Sequence, residues 1–444
     1  MRRSLPFACL VAFASAACNN YVTGVDLTSN PNAPSSASRD QRLAAVEAAL
    51  TVQLTGTLAR ASCMWMQQCA GVDRQYATLE QYVTTEDDFD TEFSQVYGGG
   101  GLIDIRFIEA DAAASGDSVY EGVGKVLEAM DIGTAADLWG DIPYSQAVSS
   151  VSTPVFDPQQ QVYAAVQTVL DQAIAELAGP GSGPGAVDLW YGGGKTKWTE
   201  LAHLLKARYY LHVAERDPAN YALALAQGQQ GISTSANDLK TYQSSTTSEN
   251  NVWYQFQIVQ RDTYLRMGAE LVNIMVARND PRLSDYFSLD GNGLYQGANP
   301  GDQYNPQVQS NLSAARLDPA YPQPLATHAE TQMVIAEAAY QTGDATTALD
   351  SLNGERTAAG LSALAGITGP ALLDSIMTEK YVVMFQNIEA WNDYKRECIP
   401  ALVPAGGAAH VIGRPLYGSS EINTNPNFPG EPASGRNWND PNPC

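Results

Sequence analysis

The feature that most constrains this chain is a helix–turn–helix unit of about 34 residues that occurs twice. In the first copy Trp198, Leu201, Leu205 and Arg208 start a helix, Asp217-Pro218 turns the chain, and residues 221–230 form a partner helix. In the second, Thr327 and Glu330 have the spacing of a capping box. Met333, Ala336, Glu337 and Tyr340 follow on one helix face, and Gly343-Asp344 ends that helix and caps the next, at 345–358. The full tetratricopeptide consensus is absent, but the period is the same. Pairs of this length cannot bury their apolar faces alone and stack into a superhelix with a continuous core. The expected fold class is therefore mostly α: a tetratricopeptide-like scaffold of helical pairs in an α/α superhelix, with few short strands.

Other periodic segments extend the scaffold. Leu43, Val46, Leu50, Leu54 and Leu58 predict a long first helix ending near Trp65–Gly71. Residues 89–114 are helical but broken at Gly98–Gly101, a glycine run with no following Lys-Ser/Thr and hence no phosphate loop. Val123, Val126, Leu127, Met130, Thr134 and Leu138 share one helix face. That helix stops hard at Gly140, Asp141 and Pro143, which delivers Trp139, Asp141 and Tyr144 to a sharp corner. Asp157-Pro158 opens another helix, and Gly369-Pro370 a last long one with a stripe from Leu373 to Trp391. The helical signal is lost at about 239–324, a loop-rich insertion, and at 401–444, an irregular tail rich in Pro, Gly and Asn.

The N-terminus reads as a lipoprotein signal peptide at 1–17. Arg2 and Arg3 precede an apolar run, and Ser15-Ala16-Ala17 stands directly before Cys18, the expected lipidation site. Residues 18–38, rich in Asn, Pro and Ser, read as a tether, and 39–444 as a single domain. No later run is long enough to span a bilayer, so the chain is expected to be membrane-attached through lipid. Asn19 is not acidic, which by analogy with lipoproteins favours sorting to the outer membrane. The formal net charge of −23 repels nucleic acid and anionic headgroups, leaving neutral sugars or peptides as the easier ligands.

With Cys9 lost in the signal and Cys18 lipidated, Cys63, Cys69, Cys398 and Cys444 can form disulfides in an exported protein. A Cys398–Cys444 bridge would fasten the tail to the last helix. Cys63 and Cys69 would be about 9 Å apart along a continuous helix and pair only if the helix ends between them. The four histidines lack ligand spacing, so no metal or other cofactor is expected. Asp290-Gly291-Asn292-Gly293 is an incomplete calcium loop.

Several separated segments, in order, resemble the SusD/RagB family of outer-membrane lipoproteins. They are Cys18; DLWGDIPYSQA at 137–147; the helix at 198–210; NDPRL at 279–283; 329–343; Glu379-Lys380-Tyr381; EAWNDYKR at 389–396; and RPLYGSSEIN at 414–423, where Gly418 stands in place of a common proline. The resemblance implies four helical pairs of tetratricopeptide type and a loop-borne ligand site. It also implies a lipid-anchored protein at the cell surface that captures glycan (oligosaccharide) or peptide and hands it to a TonB-dependent outer-membrane barrel. No catalytic residue follows from it. The alternatives are a scaffold that binds only proteins and, less favoured, an all-α glycoside hydrolase using Asp87, Asp88 or Asp90. Trp65, Arg74 and Tyr76 from the first helix break, and Trp253, Tyr254 and Tyr295 from the insertion, are the expected ligand contacts. Their rings can stack on sugars, and Arg74 can donate to hydroxyls.

Overall fold

The structure is a computed structural model describing residues 37–444. The signal segment, Cys18 and the tether up to residue 36 lie outside the described residues. The first helix, α1 (Arg39–Thr55), opens on a full capping box, with Ser38 Oγ accepting from the Gln41 amide and Gln41 Oε1 accepting from the Ser38 amide. It stops at Gly56, and α2 (Thr57–Trp65) follows, so the single long helix read from the leucine spacing is two. A Cβ on Gly56 would lie 2.4 Å from the Val52 carbonyl. After β1 (Cys69–Gly71) come α3 (Arg74–Glu80), α4 (Asp90–Tyr97) and α5 (Leu102–Ser115), the last two flanking the glycine run.

The scaffold is built from pairs of helices that follow one another in the chain. α6 (Ser118–Trp139) packs on α7 (Gln159–Leu177), and α8 (Lys195–His212) on α9 (Ala219–Gly228). α10 (His328–Gln341) packs on α11 (Ala345–Ala358), and α12 (Pro370–Val383) on α13 (Glu389–Glu397). α9 lies against α10 and so joins the two repeats recognised in the sequence. α6 is buried on almost every side. It tolerates this because of its glycines: a Cβ on Gly133 would sit 2.2 Å from Tyr209 Cζ of α8. Met333, Ala336, Leu352, Leu372, Ile376 and Met377 form a separate small core between α10, α11 and α12. Among the described residues no helix is long and apolar enough to cross a membrane.

Two sequence expectations change here. The last long helix is interrupted at residues 384–388, where Gln386 has φ +65°. The α10 capping box is half made: Thr327 Oγ1 accepts from the Glu330 amide, but the Glu330 carboxylate turns to the Arg208 guanidinium at 2.8 and 2.9 Å instead of to its own N-cap. A buried arginine demands a partner more strongly than an exposed amide does.

The strands form three two-stranded antiparallel ladders, β1 with β5 (Leu265–Met267), β2 (Ile142–Pro143) with β3 (Phe156–Asp157), and β4 (Leu239–Lys240) with β6 (Pro324–Ala326). The insertion is less irregular than its composition implies, since it contains a helix at Ala269–Ala277 and a helical turn from Val252 that widens into π geometry at Gln255–Gln260. The tail contains one short helix, Ser419–Thr424, and otherwise caps the end of α6. Trp139 Nε1 donates to the Leu416 carbonyl (3.0 Å), Tyr417 Oη to the Asp141 carbonyl (2.7 Å), and Asn437 Nδ2 to the carbonyls of Asp137 and Leu138. The corner at 139–144 is thus the seat of the tail. Cys398 is bonded to Cys444, and Cys63 to Cys69. The second bridge forms because α2 ends at Trp65, which brings the two Cα atoms to 5.1 Å.

Candidate functional site

β1 organises the loop side of the molecule. Its ladder with β5 pairs Cys69 with Met267 and Gly71 with Leu265, and Val72 carries it one step further. The Val72 amide donates to the Tyr264 carbonyl, and its own carbonyl accepts from the Tyr304 amide, both at 3.0 Å. Two tyrosines from distant stretches are thereby set on either side of one residue, with Arg74 two positions on. Asp73 accepts from Thr263 Oγ1 (2.6 Å).

Glu80 anchors the arrangement from below. Its carboxylate accepts from the amides of Gly71 and Gly301, each at 3.0 Å, and so clips the 299–304 loop to β1. Burial pushes this carboxyl up to about 7, against which the two amide bonds pull it down. Arg266 lies over the Tyr304 ring at 4.5 Å, and burial lowers its pKa.

The supporting layer is aromatic. Tyr76 stacks on Phe256 (4.8 Å, 20°), and both present edges to Tyr264 (5.9 and 6.2 Å). Arg60 closes the layer, with its guanidinium 4.3 Å from the centre of the Phe256 ring and its Nε donating to Tyr76 Oη. Above this layer Arg74 and Arg261 are exposed, and Tyr264 and Tyr304 are partly so. Arg74 has φ +53°, a left-handed conformation that costs a non-glycine residue on the order of 1 kcal/mol or more. The result is an open face of rings and guanidinium forks.

The expected contacts divide on this structure. Arg74 is on the face, with 72 % of its side chain exposed. Tyr76 is beneath it, 6 % exposed, a support for Tyr264 and not itself a platform. Tyr254 and Tyr295 are half-buried. Trp65 and Trp253 must be corrected from stacking surfaces to core anchors. Trp65 is wedged between Phe89 and Trp391 with Nε1 donating to the Leu79 carbonyl, and Trp253 is fully buried. Indole is the largest apolar side chain, and here the core gains more from covering it than a surface would from showing it. Sequence reading passed over Tyr264, Tyr304 and Arg261. Their signal was weak: a tyrosine directly before a strand, and another in a polar loop.

Two of the three candidate acids, Asp88 and Asp90, hold local turns and contacts. Asp88 accepts from the amide and hydroxyl of Thr85, and Asp90 from those of Ser420. Asp290 accepts from the amides of Asn292 and Leu294, closing its turn.

One titratable cluster was not foreseen. Asp137, His212 and Glu389 meet in the scaffold core, with Nδ1–Oδ1 2.6 Å and Nε2–Oε2 3.0 Å. Burial alone would lower His212, but the carboxylates of Asp137 and Glu389 outweigh it and hold the imidazole at about 9. Glu389 is held below its ordinary value by Arg208 and His212 against the opposing effect of burial. In the protonated ring both nitrogens donate, Nδ1 to Asp137 and Nε2 to Glu389.

The architecture defines a helical-repeat scaffold with an aromatic face on its loops. The chain belongs to the SusD-like family described as starch-binding and associating with the outer membrane, whose model matches residues 31–414. Its fold is that of a SusD/RagB family protein from Bacteroides thetaiotaomicron (21 % identity, 88 % of this chain and 95 % of that one, TM-score 0.72). It is equally similar to a chitin-binding SusD homologue from Flavobacterium johnsoniae (21 %, 90 % and 99 %, TM-score 0.72) and to another chitin-binding protein (19 %, 91 % and 100 %, TM-score 0.76). No curated protein matches the sequence.

Proposed function

We propose that this protein is a glycan-binding, non-catalytic lipoprotein, anchored at the outer membrane through Cys18, that passes its ligand to a TonB-dependent barrel. The observation that carries the binding role is that the backbone of Val72 ties Tyr264 and Tyr304, both open to solvent in part, to the strand that leads to the exposed Arg74. Tyrosine faces stack on the apolar faces of sugar rings, and guanidinium donors meet their hydroxyls. The family description and the two chitin-binding fold relatives support a saccharide over a peptide.

Titration calorimetry with maltoheptaose and chitohexaose tests the binding role. For the glycan that binds, Tyr264→Ala and Tyr304→Ala should each weaken affinity about ten-fold, the loss of roughly 1.4 kcal/mol. Full affinity in both variants overturns this placement of the site. The anchor is tested separately: Cys18→Ser should move the protein from the membrane to the soluble fraction, and unchanged fractionation with no acyl mass on the N-terminal peptide refutes it.

A further inference from the structure

We propose that a cavity separate from the loop face, walled by α1, the corner at 189–190 and the loop at 242–252, is a second saccharide-binding site that takes one or two neutral sugar units. Its volume is about 440 Å3, within the range of roughly 300–1,000 Å3 usual for small-molecule sites. The proposal takes its ligand class from the function proposed above but shares no residue with that face.

The lining is built like a sugar site. Trp190 and Tyr242 supply rings, and Gln243, Ser248 and Glu249 supply polar groups at the mouth. The Tyr242 ring is 52 % exposed, beside the exposed Val52 and Leu189. Among the described tyrosines only Tyr242 and Tyr304 rank as exposed, and Tyr242 is the one that lines this cavity. The loop carries its own hydrogen bonds: Asn250 Nδ2 donates to the carbonyls of Ser244 and Thr246, and Asn250 Oδ1 accepts from Gln255 Nε2. Such bonds reduce the ordering a ligand must impose.

The floor is polar and closed. Glu47 is completely buried; its Oε2 accepts from the Leu189 amide (2.8 Å), and its carboxyl is also hydrogen-bonded to Asp188. Asp188, beside it, accepts from the amides of Trp190, Tyr191 and Gly193 and from Trp198 Nε1. Burial first, and then Asp188, push Glu47 up to about 10. A protonated Glu47 gives its proton to Asp188, so this buried pair closes the floor and a ligand meets the Tyr242 ring and the polar groups of the rim. Glu249 at the rim and the overall charge of −23 oppose an anion.

The test titrates the protein with maltotriose and chitotriose, reading stoichiometry by calorimetry and the Trp190 environment by fluorescence. Two sites are expected in the wild type for the sugar that binds. Tyr242→Ala should remove one and leave the other within two-fold of its wild-type Kd, whereas the Tyr264→Ala/Tyr304→Ala double variant should remove the other. Gln243→Ala, at an exposed rim, repeats the test if Tyr242→Ala lowers the melting temperature. One-site binding in the wild type that is lost only in the double variant overturns the second site and leaves the loop face standing. Loss only in Tyr242→Ala does the reverse. Binding unchanged in every variant, or saturation by a tri-alanine peptide with no sugar bound, overturns the second site.

Discussion

His212 makes the stability of the scaffold depend on pH in a defined window. Its imidazolium lies between Asp137 and Glu389 with no solvent nearby, and its folded pKa of about 9 stands above the ordinary 6.5. A raised pKa on a base means that the folded state holds the proton more tightly than the unfolded chain. The stabilisation is fully present below pH 6.5 and is lost as pH rises through 9. At about 1.4 kcal/mol per pH unit, that gap is worth about 3 kcal/mol. The raw stability curve will not show it cleanly, because neighbouring groups act in overlapping ranges. Burial lowers Lys395, near Asp137, to about 8, so Lys395 adds stability between pH 8 and its ordinary 10.5. The comparison should therefore be with His212→Gln/Asp137→Asn. This double variant removes the imidazolium together with its nearest carboxylate, while Arg208 still faces Glu389 at 3.5 Å. Urea unfolding of both proteins from pH 6 to 10 should show the wild-type advantage shrinking by about 3 kcal/mol across the window. The His212 ring resonances should titrate near 9. A constant difference across the window, or a ring titrating near 6.5, would refute the charge assignment.

Two further outcomes follow from the packing. Trp253→Ala should cost about 3–5 kcal/mol and lower the melting temperature by many degrees, because the indole is completely buried, and a normal melting curve would return Trp253 to the list of ligand contacts. Cys444→Ser opens a loop whose ends are 46 residues apart and should lose roughly 3–4 kcal/mol on the chain-entropy account, with the tail cut first in limited proteolysis; unchanged stability and cleavage would show that the tail is held by the contacts of Trp139, Tyr417 and Asn437 alone.

Much of the scaffold was legible because it depends on local rules. Period, caps and breakers act over a few residues, so Asp344 capping α11 and the glycine break before α5 could be read directly. The misreadings have a common cause. Glu330 left its local role for Arg208, more than a hundred residues away, and the last helix broke although its apolar stripe ran on. The binding face was harder still. A tryptophan in a loop-rich stretch has the same sequence appearance whether it is shown or buried, and only the packed neighbours of Trp65 and Trp253 distinguish the two cases.

By itself, then, the order of residues determined the helical-pair class, the family pattern and the positions where chain direction changes, since these follow from φ/ψ preferences and apolar spacing within one or two turns. Only the tertiary structure decided which rings face solvent and which titratable groups are shifted. The backbone of Val72 ties down both Tyr264 and Tyr304, burial and then Asp188 raise Glu47, and His212 lies between two acids from other helices. Exposure and protonation are set by whatever long-range neighbours the fold brings within a few ångströms, and that distance is not encoded in sequence separation.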